Sequence, residues 1–346
     1  MGHRKINLKG LSLQELEEFV AQLGEKKYKA RQLFKWIYAE GLTDFREMSD
    51  LSKNLRAKLK DLAYVRSLEK LKSVKSKDQS CEKFLFGLED KERIESVLIR
   101  EDRRITLCVS TQVGCALSCL FCATGKMGFK RDLTSGEIVD QIISIKRHLT
   151  PEEKITNVVI MGMGEPLLNY EHTLKALRII KSELGPGFAS RKITLSTAGI
   201  VPRIQQLAEE GLKIKLAISL NAANDELRSR LMPINKKYPI RRLLEAAKFY
   251  AHETDQRMTF EYLLINGVND SKKDALDLSK LVRGVSCKIN LIPYNHVRGI
   301  PFQKPDEEKI KNFRDVLYPR CPAVTLRMSK GEEIQAACGQ LRIESQ

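Results

Sequence analysis

The chain has 346 residues, 42% of them hydrophobic and 30% charged, a balance that excludes a disordered or collagen-like polymer. It contains no run of about 20 apolar residues and no apolar N-terminal leader, so we expect no membrane span, no secretion and a cytoplasmic location. Lys and Arg outnumber Asp and Glu by 60 to 44, and the net charge of +16 makes nucleic acid a candidate partner, with a merely basic surface as the alternative.

Residues 1–60 predict a small helical module. Ser12 and Glu15 have the spacing of a capping box, which begins a helix, and Gly24 ends that helix. The segment YKARQLFKWIYAEG repeats the helical pattern and predicts a second helix. Five basic side chains crowd this module and indicate either an RNA-binding surface or a solvated helical face. They are Lys26, Lys27, Lys29, Arg31 and Lys35.

In residues 61–100 the pattern becomes β-rich, and the segment CEKFLFGLEDKERIESVLIRED predicts a hairpin that turns at EDKE. Residues 101–346 alternate short β-rich segments with helical ones such as TSGEIVDQIISIKRHL, which indicates βαβ units and a parallel sheet. Six strands are too few for a closed eight-stranded barrel. We therefore predict an α/β fold, a partial (βα)6 barrel with a small N-terminal helical accessory domain. The six predicted strands are ITLCVS, NVVIMGMG, KITLSTAG, KLAISLNA, MTFEYLLI and KINLIPYN.

Three cysteines follow the first of these strands, at the carboxyl end where parallel barrels place their chemistry. Cys115, Cys119 and Cys122 have the spacing C-x3-C-x2-C. Reduced thiols in the cytoplasm indicate metal binding, catalysis or core packing before disulfides. Zinc modules and iron–sulfur cubanes normally take four protein ligands, and no matching second pair is nearby. Three thiolates would leave one metal position open for a reactant, and a structural zinc knot is the alternative.

The cysteine spacing, with Phe121 before the last cysteine, is similar to the fingerprint of the radical S-adenosylmethionine (SAM) superfamily. The other strand-end motifs occur in the same order as in the RlmN/Cfr family of RNA methyltransferases, which the chain resembles from its helical module to its last ten residues. The motifs that carry the resemblance are CVSTQVGCALSCLFCATG, MGMGEPLLNY, ITLSTAGIVP, MPINKKYPI, INLIPYN and AACGQL.

The resemblance implies two cofactors and the residues that bind them. A 4Fe-4S cluster would be held by Cys115, Cys119 and Cys122, and its open iron would bind SAM, which yields a 5′-deoxyadenosyl radical on reduction. The turn at Gly164 and Glu165 would receive the amino group of SAM. Hydrogen bonds to the ribose, carboxylate or adenine of SAM, or a place beside it, are implied for Ser196, Ser219, Leu220, Asn221 and Asn295.

The resemblance also implies the reaction, methylation of carbon 2 of adenosine in 23S rRNA, at adenine 2503, and in tRNA, at adenine 37. That carbon is electron-poor and cannot attack a SAM methyl group, so one SAM methylates a cysteine thiolate and a second SAM yields the radical that activates this methyl group. Cys338 matches the methyl carrier, and Cys108 matches the cysteine that resolves the RNA adduct through a disulfide with it. Glu95 matches the proton acceptor, a role that Cys108 could also serve. We expect an electron donor such as flavodoxin, no membrane partner and a monomeric enzyme.

Two other functions fit the sequence. A Cfr-like enzyme would methylate carbon 8 of the same rRNA adenosine, although GMGEPLLN and NLIPYN favour carbon 2, and a non-catalytic RNA-binding protein with a structural metal is the second alternative. The chain departs from the family pattern at Asn221, where a histidine is usual, and Asn cannot carry a proton as His can. Without the resemblance, Cys338 would be typical of a small buried apolar residue. The remaining cysteines are predicted to be structural: Cys81, Cys287 and Cys321.

Overall fold

A computed structural model describes residues 5–343, so the outermost ends of the segments 1–60 and 101–346 lie outside the described residues. The N-terminal elements are β1 (Ile6–Asn7), α1 (Leu13–Gln22), α2 (Tyr28–Tyr38), α3 (Lys53–Leu62) and β2 (Ala63–Tyr64), and β1 pairs with β2 in parallel. The predicted capping box of α1 is confirmed. The Ser12 hydroxyl accepts the Glu15 N–H at 3.2 Å, and the Glu15 carboxylate accepts the Ser12 N–H at 2.7 Å.

Residues 69–109 form an antiparallel arm, made of β3 (Glu69–Lys75), β4 (Cys81–Gly87), β5 (Arg93–Glu101) and β6 (Arg104–Val109). The hairpin predicted around EDKE is confirmed by the pairing of β4 with β5. Phe84 and Phe86 are buried on one face of the arm, with ring centroids 6.1 Å apart. In β3 only Val74 is partly covered, so the arm ends in an exposed strand.

The rest of the chain alternates strands and helices, as the sequence predicts. In chain order the elements are β7 (Gln112–Gly114), α4 (Ala123–Lys126), β8 (Phe129–Asp132), α5 (Ser135–Lys146), β9 (Asn157–Ile160), α6 (Tyr170–Lys181), β10 (Ile193–Thr197), α7 (Val201–Glu209), β11 (Lys215–Ser219), α8 (Asp225–Leu231), α9 (Ile240–Thr254), β12 (Met258–Leu264), α10 (Lys272–Leu281), β13 (Cys287–Pro293), α11 (Glu307–Leu317) and β14 (Val324–Leu326). No helix among residues 5–343 combines the length and the apolar character needed to cross a bilayer.

One sheet within the described residues has the strand order β3-β4-β5-β6-β9-β10-β11-β12-β13-β14. Neighbouring strands from β6 to β14 are parallel, so their carboxyl ends meet at one edge of the sheet. The six predicted strands are β6 and β9 to β13, and β14 adds a short seventh. The predicted partial barrel is confirmed, and its polar strand ends face a common space.

The N-terminal module packs against α5 through close backbone contact and one buried ion pair. A Cβ on Gly10 would lie 2.7 Å from the Gly136 nitrogen, and one on Gly136 would lie 2.6 Å from the Lys9 carbonyl oxygen, so neither position admits a side chain. Beside them the Lys9 ammonium pairs with the Asp140 carboxylate, and both side chains are only 2% exposed. Burial on this scale fixes the module against the barrel, because both charges are satisfied only while the two surfaces stay together.

Candidate active site

The carboxyl ends of the parallel strands enclose a cavity of about 190 Å³. Residues 327–341, which follow β14, form its remaining wall. Six of the residues predicted from the sequence line this cavity, although they come from five separate parts of the chain. They are Cys108, Cys122, Ser196, Ser219, Asn221 and Cys338.

The cysteine triplet lies on the loop between β7 and α4. Gly114 precedes it with φ +77°, and a Cβ there would lie 1.9 Å from the Gly128 carbonyl oxygen, so only glycine allows the loop to begin this way. The same carbonyl accepts the Cys115 N–H at 2.8 Å. Burial raises the pKa of Cys115 to about 12 and that of Cys119 well above its usual value. Negative charge raises both pKa values further, from Glu165 and Cys122 at Cys115 and from Cys122, Cys115 and Glu165 at Cys119. Three thiols crowded in this way release their protons readily only to a metal, which supplies the missing positive charge.

The donor set fits an iron–sulfur cluster better than a single ion. Among residues 5–343 no three His, Cys, Asp or Glu side chains are placed to hold one metal ion. In a cubane each thiolate binds a different iron, so its sulfurs need not converge on one point. Burial raises the pKa of Cys122, whereas the N–H groups of Gly125 and Thr124 and the Thr124 hydroxyl lower it. Such donors stabilise a sulfur that carries negative charge, as a cluster ligand does.

The turn at Gly164 and Glu165 joins two strand ends. Gly164 has φ +99°, and a Cβ there would lie 2.5 Å from the Gln112 Cβ, which accounts for glycine on packing grounds alone. The Glu165 carboxylate is buried and accepts the Thr197 hydroxyl at 2.7 Å and the Ala198 N–H at 2.8 Å. Burial raises the pKa of Glu165 to about 7 against these hydrogen bonds. The Glu165 N–H also donates within the protein, to the Gln112 side-chain oxygen at 2.8 Å. The side chain therefore shapes the turn, and neither Gly164 nor Glu165 lines the cavity.

The ends of β10 and β11 supply the polar wall of the cavity. The Ser196 hydroxyl donates to the Glu261 carboxylate at 3.1 Å. Asn221 has φ +59°, and its side-chain oxygen accepts the Leu263 N–H at 2.9 Å. This position needs a side-chain hydrogen-bond acceptor and a left-handed backbone conformation. Asn supplies the acceptor and adopts that conformation more readily than most residues. Leu220 is fully buried beneath this wall and does not line the cavity.

A buried arginine fastens the same strand ends. Arg228 of α8 is 0% exposed, and its guanidinium donates to the carbonyl oxygens of Ala198 at 2.7 Å, Ser219 at 3.0 Å and Leu220 at 3.0 Å. A fourth hydrogen bond reaches the Asn235 side-chain oxygen at 2.9 Å. Burial lowers the pKa of Arg228 to about 10, and the nearby Cys119 opposes this shift. The guanidinium remains charged at neutral pH and lies on the side of the cavity where thiolates would gather.

The segment that carries Cys338 is tied to the cysteine loop. The Ala123 N–H donates to the Gly339 carbonyl at 2.7 Å, and the Thr124 hydroxyl donates to the Leu341 carbonyl at 2.6 Å. The Asn295 side-chain amide donates to the Cys338 carbonyl at 3.1 Å, so Asn295 supports this segment and does not itself line the cavity. These bonds hold Cys338 over the cavity that Cys122 also lines.

Cys338 and Cys108 both line this cavity. Cys338 is exposed to the cavity space, yet surrounding protein desolvates it, and this burial raises its pKa. Burial raises the pKa of Cys108 to about 12, and the charge of Cys338 adds to the shift. The Arg327 guanidinium lines the same cavity and lowers the pKa of both thiols. Both cysteines are therefore neutral thiols at rest, beside a cation that favours their thiolates.

Glu95 is not brought into this cavity. It lies on β5 and lines a neighbouring cavity, separated from the first by the segment that carries Cys338. Its carboxylate pairs with the Lys83 ammonium at 2.9 Å and accepts the Arg342 N–H at 2.9 Å. These contacts tie the carboxylate to a cation and to the C-terminal segment, at the boundary between the two cavities.

Three polar residues of the site escaped prediction. Glu261 breaks the apolar run MTFEYLL, and a lone acid in a buried strand was the available signal. Arg228 lies in the polar segment NDELRSRL, which is typical of an exposed helix, so nothing local indicated its burial. Arg327 follows a strand too short to recognise. By contrast, the cysteines predicted to be structural are buried in the structure: Cys81, Cys287 and Cys321.

Comparisons with known proteins place this arrangement in a family. Residues 6–65 match the model of the ribosomal RNA large subunit methyltransferase N-terminal domain, and residues 109–279 match that of the radical SAM superfamily. A relative from Thermoanaerobacter sp. (strain X514), named "Probable dual-specificity RNA methyltransferase RlmN", is 48% identical over 336 residues that cover 97% of each chain.

Two further matches agree. The dual-specificity RNA methyltransferase RlmN of Syntrophus aciditrophicus (strain SB) is 46% identical over 341 residues, 99% of this chain and 97% of that one. The crystal structure of a radical SAM methyltransferase from Sphaerobacter thermophilus is 46% identical and superposes with a TM-score of 0.93, covering 98% of this chain and 100% of that chain. Since the likeness spans almost the whole chain in sequence and in structure, the chain belongs to the RlmN family of radical SAM dual-specificity RNA methyltransferases.

Proposed function

We propose that this radical SAM RNA methyltransferase transfers a methyl group to carbon 2 of adenosine, at adenine 2503 of 23S rRNA and adenine 37 of tRNA, with Cys338 as the methyl carrier. One observation carries the proposal: Cys338, Cys108 and the cluster ligand Cys122 line one cavity. A thiol carrier and a cluster are both needed, because carbon 2 is too electron-poor to attack a SAM methyl group.

Cys115, Cys119 and Cys122 would hold the 4Fe-4S cluster, and SAM would lie in the cavity that Ser196, Ser219 and Asn221 line. Its amino group would be directed toward the turn at Gly164 and Glu165, as the family resemblance implies. When bound and reduced, the cluster and SAM supply a 5′-deoxyadenosyl radical that removes a hydrogen atom from a methyl group. Two SAM molecules are consumed per turnover in this scheme. The first gives its methyl group to a thiolate, and the second gives the radical.

Cys338 provides the thiolate. Its sulfur loses a proton and displaces S-adenosylhomocysteine from SAM, which leaves a methyl thioether on the protein. The resting thiol is neutral because burial raises its pKa, so the proton leaves only when the positively charged SAM arrives. Arg327 supports the same step by lowering the pKa of Cys338. Enclosure by residues 327–341 keeps water from the thioether once it is activated.

Cys108 and Glu95 complete the reaction. After the activated methyl carbon has joined carbon 2, that carbon loses its proton to the Glu95 carboxylate or to the Cys108 thiolate. The unpaired electron of the adduct would return to the oxidised cluster that Cys115, Cys119 and Cys122 would hold, which leaves a closed-shell thioether between carbon 2 and Cys338. The Cys108 thiolate then bonds to the Cys338 sulfur while the carbon–sulfur bond breaks. The carbon keeps the electron pair and takes a proton to become the product methyl group. A disulfide between the two cysteines remains, and an external reductant must reopen it before the next turnover.

We assign the parts of the chain as the sequence suggests. Residues 1–60 form an RNA-binding accessory module, 61–100 a β-rich connection, and 101–346 the catalytic barrel with its C-terminal extension. The lysine cluster of the module is largely exposed, with Lys26, Lys27 and Lys35 open to solvent, so it is available for phosphate contacts. We further propose a monomeric cytoplasmic enzyme that takes electrons from a donor such as flavodoxin.

The test is product analysis with cysteine variants of the reconstituted enzyme. Cys338→Ala should abolish RNA methylation while the cluster absorbance persists, and Cys108→Ala should trap enzyme covalently on RNA in a denaturing gel. Cys321→Ala removes a buried cysteine remote from the site and should keep activity. Mass analysis of digested RNA should find 2-methyladenosine. Exclusive 8-methyladenosine would instead establish a Cfr-like reaction, and retained activity in Cys338→Ala would refute the carrier role.

A further inference from the structure

The face of the sheet that carries Cys108 continues outward across the antiparallel arm. Cys108 of β6 pairs with Val97 of β5, Val97 with Lys83 of β4, and Lys83 with Val74 of β3. Alternate residues of a strand point to the same side. Residues two positions away from this row therefore share its face, among them Lys72 of β3. The inner surface of the active site thus extends to the exposed edge strand.

A second cavity of about 440 Å³ lies on this extension. The arm forms one wall and residues 333–343 form the other, so the segment that bears Cys338 separates it from the central cavity. Its volume falls in the range of about 300–1,000 Å³ that is usual for ligand sites. Glu95, implied to accept the proton from carbon 2, lies in its lining. The second cavity therefore adjoins the central one across the segment that bears Cys338, and it extends to the exposed strand β3.

The charge of this cavity is positive. Four cations and two carboxylates line it. One pair neutralises itself, because Lys83 binds Glu95 at 2.9 Å. Within residues 5–343, the other three cations form no salt bridge. These uncommitted cations are Lys72, Arg93 and Arg342.

Protection of the sheet edge explains only one of these cations. Lysines on an exposed edge strand prevent association with other sheets, and Lys72 is on such a strand. Arg93 lies on β5, two strands further in, and Arg342 lies on the C-terminal segment. Apolar side chains, Leu85 and Ile334 among them, line the cavity together with the cations. Cations interleaved with apolar surface are typical of a groove that takes single-stranded nucleic acid.

We propose that this second cavity binds the phosphate backbone of RNA nucleotides next to the target adenosine. Lys72, Arg93 and Arg342 contact phosphate oxygens, the arginines with paired N–H groups, and the apolar side chains contact sugar or base faces. This proposal rests on the proposed function. It adds the path that the RNA follows from the target adenosine to the exposed edge of the sheet. It differs from the lysine cluster of residues 26–35, because it adjoins the active site and the cluster is on another module.

The experiment measures the affinity of the reconstituted enzyme for an RNA stem-loop across a range of salt concentrations. Lys72→Ala/Arg93→Ala should weaken binding about tenfold near 0.1 M salt and reduce the slope of log K against log salt by about 1.4, since each single-strand phosphate contact contributes about 0.7. Arg242→Ala/Lys248→Ala on α9 is the matched control, because both side chains are exposed there and the loss of charge is the same. The control should leave the slope unchanged.

Lys72→Ala alone, at an exposed position, keeps the test valid if the double variant is unstable, and it should lower the slope by about 0.7. A slope equal to that of the control would overturn the proposed site, whether or not the variant self-associates. Lys72 would then be assigned to protection of the sheet edge. The proposed function is tested separately by 2-methyladenosine formation in the wild-type enzyme. Methylation without a slope change rejects only the groove, whereas wild-type enzyme that neither binds nor methylates RNA rejects both.

Discussion

Replacement of the buried Arg228 by methionine should destabilise the protein severely. The side chain has no exposed surface, and its guanidinium makes four hydrogen bonds that join the ends of β10 and β11 to α8. Methionine has similar length and no donors. Arg228→Met therefore removes the side-chain donor from three backbone carbonyl oxygens and one side-chain oxygen in a space that water does not reach, and only the Leu220 carbonyl is known to keep another donor, the Ala222 N–H at 2.8 Å.

The magnitude follows from two opposing effects. Each hydrogen bond to a charged donor contributes about 1.5–3 kcal/mol, so four of them contribute roughly 6–12 kcal/mol. Relief of the buried charge returns several kcal/mol, because burial disfavours the charged guanidinium. We expect a net loss of about 3–5 kcal/mol in the free energy of unfolding, which is a large share of the 5–15 kcal/mol typical of a domain.

Urea unfolding followed by circular dichroism measures this loss. Arg230→Met is the matched control, since Arg230 is exposed on the same helix, and it should change the free energy of unfolding by less than about 0.5 kcal/mol. Iron content of the purified variant gives a second readout, because the strand ends that Arg228 joins also form the cavity wall. A loss below about 1 kcal/mol in Arg228→Met would refute this account of the buried arginine.

Three further changes test other parts of the structure. Gly164→Ala should cost about 2–4 kcal/mol in urea unfolding, because φ +99° and a Cβ 2.5 Å from Gln112 both oppose a side chain, and a cost below about 1 kcal/mol would contradict this. Lys9→Met should cost about 3–5 kcal/mol by isolating the Asp140 carboxylate, and a Lys9→Met/Asp140→Asn double variant should recover much of it; equal instability of the two would rule out the buried-pair explanation. Burial raises the pKa of Cys108 to about 12, so its alkylation by iodoacetamide, quantified by peptide mass spectrometry, should rise about tenfold per pH unit from about pH 8 to 10, whereas a plateau near pH 9 would show an ordinary thiol.

The sequence predicts well where local pattern decides the structure. Ser12 and Glu15 fix the start of α1 by their own hydrogen bonds, and the six predicted strands are short β-rich segments separated by helical ones. β14 was missed because three residues are too few to show alternation, and its strand exists only through pairing with β13. The sequence therefore predicts a helix or strand wherever that element is long enough to bury an apolar face of its own.

The sequence predicts which residues belong to the candidate site but not how they are arranged in space. The cysteine triplet is local, so its spacing, together with its position after the first strand of the barrel, predicts a metal centre. Cys108 and Cys338 are far apart in the chain, and only the fold brings them into one cavity. The separation of Glu95 from that cavity depends on the position of the C-terminal segment, which no local pattern encodes. Arg228 illustrates the same limit, because the carbonyl groups that bury it come from two strands that precede its helix.

The contact between Gly10 and Gly136 has a consequence for substrate choice. Backbone meets backbone there without intervening side chains, so the spacing between the N-terminal helices and the barrel cannot be adjusted by exchanging one side chain for another. An RNA that reached both surfaces would have to bridge a constant separation. Discrimination among RNAs can then depend on the length and bend of a folded stem, without any base of that stem being read.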